Sequence, residues 1–193
     1  MKKIFQFLAV GLLFVGYGEN VFAEVRLDGL VHTAIYDKVR LKLDEEQLQE
    51  LRTARKSIKE MQARYRADSL TATLDSIVDL DHTVALNVLT QDQFRRVVML
   101  NYRTLVDETN AIWARIDSAQ LTSDLNEKTA KYNIRQYLIE VRTAEETYWN
   151  DKEMRNKARH QVKVYAPQVI KRYFSTKKKQ NKGDNKQFEN YLW

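Results

Sequence analysis

The fold depends on two short stretches of sequence, LDEEQL at residues 43–48 and LTQDQF at residues 89–94. Each stretch begins with an apolar residue and a capping residue, places a glutamine three positions after the cap, and closes on a second apolar residue. The cap, Asp44 or Thr90, can accept a hydrogen bond from the free N–H three residues on, and the glutamine can reach back to the N–H of the cap. Both stretches therefore predict the start of an α-helix.

The residues that flank the caps strengthen this prediction. Leu43 with Leu48, and Leu89 with Phe94, stand at the positions of a hydrophobic staple, in which the two apolar side chains pack together. Acidic residues in both first turns also interact favourably with the positive end of the helix dipole. Single capping boxes are common and have only a structural role, so the repetition is the more informative observation.

The pair of stretches resembles the doubled LTxxQ motif of the periplasmic Spy- and CpxP-like proteins, over about residues 41–100. The motif residues are Leu43, Asp44, Gln47, Leu89, Thr90 and Gln93. Asp44 replaces the threonine of the first copy. The resemblance implies a small all-helical protein that binds unfolded proteins without ATP, or acts in envelope stress or metal response. The motif residues would themselves be structural, fixing helix starts.

The first 23 residues are typical of a secretory signal peptide. Lys2 and Lys3 precede an apolar run over residues 4–17, and Val21 and Ala23 place small residues at −3 and −1 of a cleavage site. The run is short for a membrane-spanning helix, which needs about 20 apolar residues, so a retained anchor is the weaker alternative. We expect export to the periplasm, with cleavage after Ala23.

The composition favours long helices. Of the five glycines only Gly29 and Gly183 follow the predicted cleavage site, and Pro167 is the single proline. Because glycine and proline mark turns and helix ends, a chain poor in both has few tight turns. The absence of cysteine also excludes disulfides, so packing must stabilise the protein.

The predicted fold class is all-α, with four to five long amphipathic helices in a hairpin, bundle or coiled coil. The apolar spacing places helices over residues 26–39, 45–67, 70–88, 91–119 (with a bend near Thr109), 125–165 and 167–174. Residues 24–174 would form one helical domain, and the lysine-rich residues 175–193 a disordered tail. A homodimer is left open, since a seam with a period near 3.5 residues suits either an internal bundle or a dimer.

The helix expected over 45–67 is strongly basic on the side opposite its apolar stripe. Its cations are Arg52, Arg55, Lys56, Lys59, Arg64 and Arg66. Solvated helical surfaces often look like this, with Glu50 and Glu60 as partners. As a binding surface, the same side would attract acidic client segments by charge and then hold apolar ones weakly. These six residues are the predicted client-binding residues.

Three residues are weak candidates for a metal site. Asp75, Asp79 and His82 fall on one side of the helix expected over 70–88, and their oxygen and imidazole groups suit a divalent cation. No second set of ligands is recognisable, and a histidine among acids is more often a surface hydrogen-bond partner. The prediction is therefore no metal and no cofactor.

No motif of a common catalytic site is present, so we predict no catalytic residues and no enzyme. The formal net charge of +6 in an exported chain favours unfolded or envelope proteins and anionic membrane surfaces as partners, and not nucleic acid. The predicted function is an ATP-independent chaperone-like or envelope-stress protein. The alternatives are a structural or adaptor protein of an envelope complex, or a periplasmic metal-responsive sensor.

Overall fold

The structure, a computed structural model, describes residues 29–68 and 71–180, which form nine helices and no strand. In chain order they are α1 (Leu30–Tyr36), α2 (Lys38–Leu41), α3 (Glu45–Asp68), α4 (Thr71–Val88), α5 (Gln91–Asn101), α6 (Leu105–Ser118), α7 (Glu127–Thr147), α8 (Lys152–Val164) and α9 (Gln168–Gln180). The all-α fold class is confirmed, whereas the expected number of four to five helices was wrong. The predicted signal peptide lies outside the described residues.

The described helices divide into two compact units between Asn101 and Tyr102. Unit 1 contains α1–α5 and unit 2 contains α6–α9. The two residues at the division bond within different units: Asn101 Oδ1 accepts a hydrogen bond from Thr33 Oγ1 at 3.2 Å, whereas the Tyr102 hydroxyl donates to Glu146. The single domain expected over residues 24–174 stays a prediction.

In unit 1, α3 packs most extensively against α4, and α1 contacts α3, α4 and α5. The buried residues of α3 are Leu48, Leu51, Ala54 and Ile58. They follow the predicted seam at steps of three and four, which places one apolar stripe against the neighbouring helices. Exposed charged residues lie on the opposite side of α3.

In unit 2, α7 packs against α6, α8 and α9, and α9 also contacts α6. The buried cluster comprises Leu105, Ile112, Ile116, Ala130, Ile134, Tyr137, Leu138, Ile139, Val141, Ala166, Val169, Ile170 and Tyr173. No residue of α8 is buried, in keeping with its charged sequence. None of the described helices is both long and apolar enough to cross a membrane.

The helix expected over 91–119 is in fact α5 and α6, and no break occurs at Thr109. Thr109 is 1 % exposed and lies in the middle of α6, in line with Leu105 and Ile112. Its hydroxyl donates to the Leu105 carbonyl at 2.6 Å, which satisfies the polar group inside an apolar stripe. The break falls instead at 102–104, at the division between the units.

Two further expectations about helix ends were wrong. The helix expected over 125–165 is interrupted after Thr147, because Asp151 caps a new helix by accepting the Met154 N–H at 2.9 Å. The tail expected from residue 175 onwards is helical as far as Gln180. Thr176 is buried, and its hydroxyl accepts from Arg115 Nε at 3.3 Å, so α9 has a packing partner beyond residue 174. Residues 181–193 lie outside the described part of the chain.

Candidate functional site

Both sequence motifs form reciprocal capping boxes. Asp44 Oδ1 accepts from the Gln47 N–H at 2.8 Å, while Gln47 Oε1 accepts from the Asp44 N–H at 3.3 Å. At the start of α5, Thr90 Oγ1 accepts from the Gln93 N–H at 3.3 Å and Gln93 Oε1 accepts from the Thr90 N–H at 2.9 Å. Each box satisfies two N–H groups that a helix start leaves without an intrahelical partner.

The two glutamines also join the boxes to each other. Gln47 Nε2 lies 2.9 Å from Gln93 Oε1, and Gln93 Nε2 lies 3.3 Å from Gln47 Oε1. Gln47 Nε2 further donates to the Val88 carbonyl at 2.8 Å, and Gln93 Nε2 to the Leu41 carbonyl at 3.2 Å. Each amide thus caps its own helix and holds the segment that precedes the other helix. We call these four side chains, Asp44, Gln47, Thr90 and Gln93, the glutamine junction.

Buried and half-buried apolar residues flank the glutamine junction in sequence. Leu48 and Phe94, which follow the two glutamines, are 6 % and 4 % exposed, and Leu89 is also buried. Leu43 is half-buried. Partial exclusion of water strengthens hydrogen bonds between amides, and both polar atoms of each glutamine side chain are hydrogen-bonded within unit 1. This geometry fits a structural role for the motif residues.

Of the six predicted client-binding residues, all on α3, five have side chains that the structure describes. Four of them, Arg52, Lys56, Lys59 and Arg64, are exposed, and Arg55 is half-buried. The side chain of Arg66 is outside those described. The residues from 52 to 64 extend over about 18 Å of helix at 1.5 Å per residue.

Acidic and apolar groups accompany these cations. Arg52 Nη1 lies 3.6 Å from Glu45 Oε1, in an exposed ion pair that contributes little to stability. Glu50 and Glu60 are exposed on the same helix. Met61 and Tyr65 are half-buried, so the C-terminal half of α3 presents some apolar surface beside its basic residues.

Asp81 has a structural role that the sequence analysis missed. Its side chain is buried in α4, where Oδ2 accepts from the Leu30 N–H at 2.7 Å and Oδ1 accepts from the Val31 N–H at 3.0 Å. A Cβ added at Gly29 would lie 2.2 Å from Asp81 Oδ2, so the close approach requires glycine there. Asp81 follows Ile77 and precedes Ala85 at steps of four. An acid within an apolar stripe was the signal that could have revealed it.

The weak metal candidates are not assembled into a site. Asp75 and Asp79 are exposed on α4, and the His82 ring nitrogen Nδ1 lies 2.9 Å from the carbonyl of Val78 in the same helix. Within residues 29–68 and 71–180, no group of three or more His, Cys, Asp or Glu side chains is placed to hold a metal ion.

Unit 2 encloses a cluster of charged side chains that the sequence analysis also missed. Arg142 of α7 donates to Glu145 Oε2 at 2.9 Å and to Glu108 Oε2 of α6 at 3.4 Å. Arg159 of α8 lies 3.4 Å from the other oxygen of Glu145. The cluster therefore connects three helices by ion pairs that are largely shielded from water.

Tyr102 completes this cluster at the start of unit 2. The Arg142 guanidinium lies over its ring, 5.1 Å from the centroid, and its hydroxyl donates to Glu146. Burial, followed by the negative charge of Glu146, raises the pKa of Tyr102 well above its ordinary value. Every carboxylate of the cluster thus has a cationic or hydroxyl partner, as in a structural network.

An open groove of about 410 Å³ lies beside α7 and α8. Its lining residues are Asn133, Gln136, Tyr137, Glu140, Gln161, Val162, Tyr165 and Pro167. Burial raises the pKa of Tyr137 to about 12. The lining mixes amides with aromatic groups and includes neither a nucleophile next to a base nor a set of metal ligands.

Comparisons with families of known proteins, with curated proteins and with solved structures found no match. The resemblance of residues 41–100 to the LTxxQ proteins therefore stays a prediction.

Proposed function

We propose that this protein is an exported, ATP-independent chaperone-like protein that holds client proteins on the basic side of α3. The observation that carries the proposal is the row of exposed cations from Arg52 to Arg64, on a helix whose start is fixed by the glutamine junction. A fixed helix presents its charges without first having to be ordered, which lowers the entropic cost of binding.

The proposed mechanism has two steps. Long-range attraction between the basic side and acidic client segments raises the encounter rate. Exposed apolar segments of the client then contact the partly exposed Met61 and Tyr65. Both interactions are weak and lack directional specificity, so release requires no nucleotide.

Suppression of aggregation tests this proposal. We expect the mature chain, residues 24–193, to keep a chemically denatured client in solution without nucleotide. Replacement of Arg52, Lys56 and Lys59 by glutamine should reduce this activity several-fold, and added salt should reduce the activity of the unmodified protein, because salt screens exposed charges.

The matched control removes three exposed cations from unit 2, by Arg103→Gln, Lys128→Gln and Arg135→Gln. It carries the same net charge as the α3 variant and should retain activity. Equal losses in both variants would show that only net charge matters, and no suppression at several-fold excess of the unmodified protein would remove the proposal.

The second candidate function is an adaptor in an envelope complex, favoured by exposed Val164 and Tyr165 next to the open groove of unit 2. A chaperone-like protein should bind many unrelated clients weakly, whereas an adaptor should co-purify with one partner at a fixed ratio. Sedimentation equilibrium of the same preparation tests for the homodimer.

Export and metal response have separate tests. N-terminal sequencing of the protein recovered from the periplasm should read from Glu24 if cleavage follows Ala23.

A metal-responsive sensor would show a raised melting temperature with zinc, copper or nickel, because a ligand that binds only the folded state stabilises it. Melting temperatures unchanged by all three ions would eliminate the sensor.

A further inference from the structure

Unit 1 exposes an aromatic side chain at the end of α1 and an aliphatic side chain three residues later, in α2. Tyr36 is 82 % exposed and Val39 is 80 % exposed. Of the other apolar residues on α1 and α2, Leu30, Val31, Ala34 and Leu41 are at most 3 % exposed, and Ile35 is half-buried. The exposure of Tyr36 and Val39 is therefore local, and the helices that carry them are firmly packed.

Two side chains of α5 contact the backbone of the segment that carries Tyr36 and Val39. Gln93 Nε2 donates to the Leu41 carbonyl at 3.2 Å, and Arg96 Nη1 lies 3.5 Å from the Arg40 carbonyl. The ring of His32 stacks on the ring of Tyr36, with 6.5 Å between the centroids. Gln93 of the glutamine junction therefore supports the segment that carries the exposed Tyr36 and Val39.

Three exposed cations surround the pair, namely Lys38, Arg40 and Lys42. Asp37 is the acid next to them, and its carboxylate lies 3.5 Å from Arg40 Nη1. That carboxylate is only 16 % exposed, whereas the Arg40 side chain is 78 % exposed. The exposed charge of residues 36–42 is therefore positive, and the exposed acids Asp44, Glu45 and Glu46 follow at the start of α3.

We propose that Tyr36 and Val39, with Lys38, Arg40 and Lys42, form a docking site for the surface of an anionic lipid membrane. Tyrosine is enriched at membrane interfaces, where its ring is partly buried and its hydroxyl stays wet. Each lysine or arginine near an anionic bilayer adds attraction. Two apolar side chains are too few for a stable protein interface, which covers about 800 Å² per partner, but they suit a shallow interfacial contact.

This site shares no residue with the proposed client-binding side of α3. It also differs from the lysine-rich C-terminal residues, which could bind the same lipids by charge alone. The experiment must therefore separate the α1–α2 site from the C-terminal residues in the full mature chain.

Co-sedimentation with vesicles provides that separation. We expect the mature chain to bind vesicles of phosphatidylcholine with phosphatidylglycerol, and to bind pure phosphatidylcholine vesicles far less. The variant Tyr36→Ser with Val39→Ser should lower the partition coefficient about tenfold. The variant Lys38→Gln, Arg40→Gln and Lys42→Asn should lower it about fivefold per charge removed. Asparagine is chosen at position 42 because the backbone there has a φ of 53°.

The matched control is Tyr132→Ser with Lys128→Gln and Arg135→Gln, an exposed tyrosine between exposed cations on α7. It should bind vesicles like the unmodified protein, and Tyr36→Trp should retain binding because tryptophan also favours the interface. Circular dichroism melts verify that every variant is folded. Unchanged binding of both α1–α2 variants, or equal losses in the α7 control, would overturn the proposal. If vesicle binding is lost only when the lysines at 177–186 are replaced, the lipid-binding site belongs to the C-terminal residues and the proposal is overturned.

Discussion

At the scale of single residues, the start of α1 depends on Asp81. Its carboxylate bonds to the N–H groups of Leu30 and Val31, two of the groups that a helix start leaves without partners. We expect Gly29→Ala to displace this carboxylate, because the new Cβ would lie 2.2 Å from Oδ2. Gly29→Ala and Asp81→Ala should each lower the free energy of unfolding by about 1–3 kcal/mol, measured by urea denaturation.

An acid on the exposed side of the same helix serves as the control. Asp79→Ala removes a carboxylate of the same size from α4 and should change the free energy of unfolding by less than about 0.5 kcal/mol. Similar losses for the Asp79 and Asp81 variants would mean that loss of negative charge from α4, and not the cap on α1, determines the effect.

Asp124 gives unit 2 a predicted dependence on acidity. Arg172 donates to both of its oxygens, at 2.5 and 2.6 Å, and this hydrogen bonding lowers the pKa of Asp124 to about 2. A carboxyl whose pKa is lower in the folded state stabilises that state when ionised. The stabilisation is complete above the unfolded pKa of about 3.9 and is lost as the pH falls towards 2.

We therefore expect Asp124→Asn to flatten the dependence of the melting temperature on pH between pH 4 and pH 2, and to lower the melting temperature slightly at pH 7. The control is Asp107→Asn, which removes an exposed acid from α6. If the melting temperatures of the Asp124 and Asp107 variants fall with pH as steeply as that of the unmodified protein, the ion pair of Asp124 with Arg172 contributes nothing to acid unfolding.

Sequence reasoning at this scale worked for side chains that act locally. The hydrogen bonds of Gln47 and Gln93 to their own caps follow from a spacing of three residues. Their bonds to each other could not be read from the spacing, because these depend on how α3 and α5 pack. For the same reason Asp81, whose partners lie 50 and 51 positions away, was missed.

At the scale of helices, the glutamine junction couples α3 to α5. Gln47→Ala and Gln93→Ala each remove hydrogen bonds to both helix starts, so each should lower the free energy of unfolding by about 1–3 kcal/mol. Because the two amides bond to each other, the double variant should lose less than the sum of the two. We expect a coupling energy of about 0.5–2 kcal/mol from a double-mutant cycle measured by urea denaturation.

Gln49 and Gln91 provide the matched control, since both are exposed glutamines near the starts of α3 and α5. The cycle of Gln49→Ala with Gln91→Ala should be additive within about 0.5 kcal/mol. An additive result for Gln47 with Gln93 would show that the boxes cap their own helices and do not support one another.

Helix ends were the least predictable feature at this scale. Apolar residues continue at helical spacing on both sides of 102–104 and of 148–151, so periodicity alone carried one helix across each break. The second break has a local cause, the cap formed by Asp151, and an aspartate next to Asn150 is a recognisable signal for it. The first break falls at the division between the two units. The apolar pattern of a single segment gives no signal for such a division.

At the scale of the whole chain, the positions of the tryptophans allow the two units to be followed separately. Trp113 and Trp149, the tryptophans within the described residues, both belong to unit 2, so their fluorescence reports unit 2, while circular dichroism reports the helices of both units. Each unit has its own buried core, and a core of that kind can unfold as a separate cooperative step.

We expect Leu51→Ala, in the core of unit 1, to shift the circular dichroism transition without moving the fluorescence transition. Ile139→Ala, in the core of unit 2, should shift the fluorescence transition. Because both side chains are fully buried, each substitution should lower the free energy of unfolding by about 2–5 kcal/mol. A change of this size can be resolved by urea denaturation. Fluorescence that moves equally with both variants would mean that the chain unfolds in one step. Separate transitions would instead allow a loss of client or lipid binding in a unit 1 variant to be distinguished from damage to unit 2.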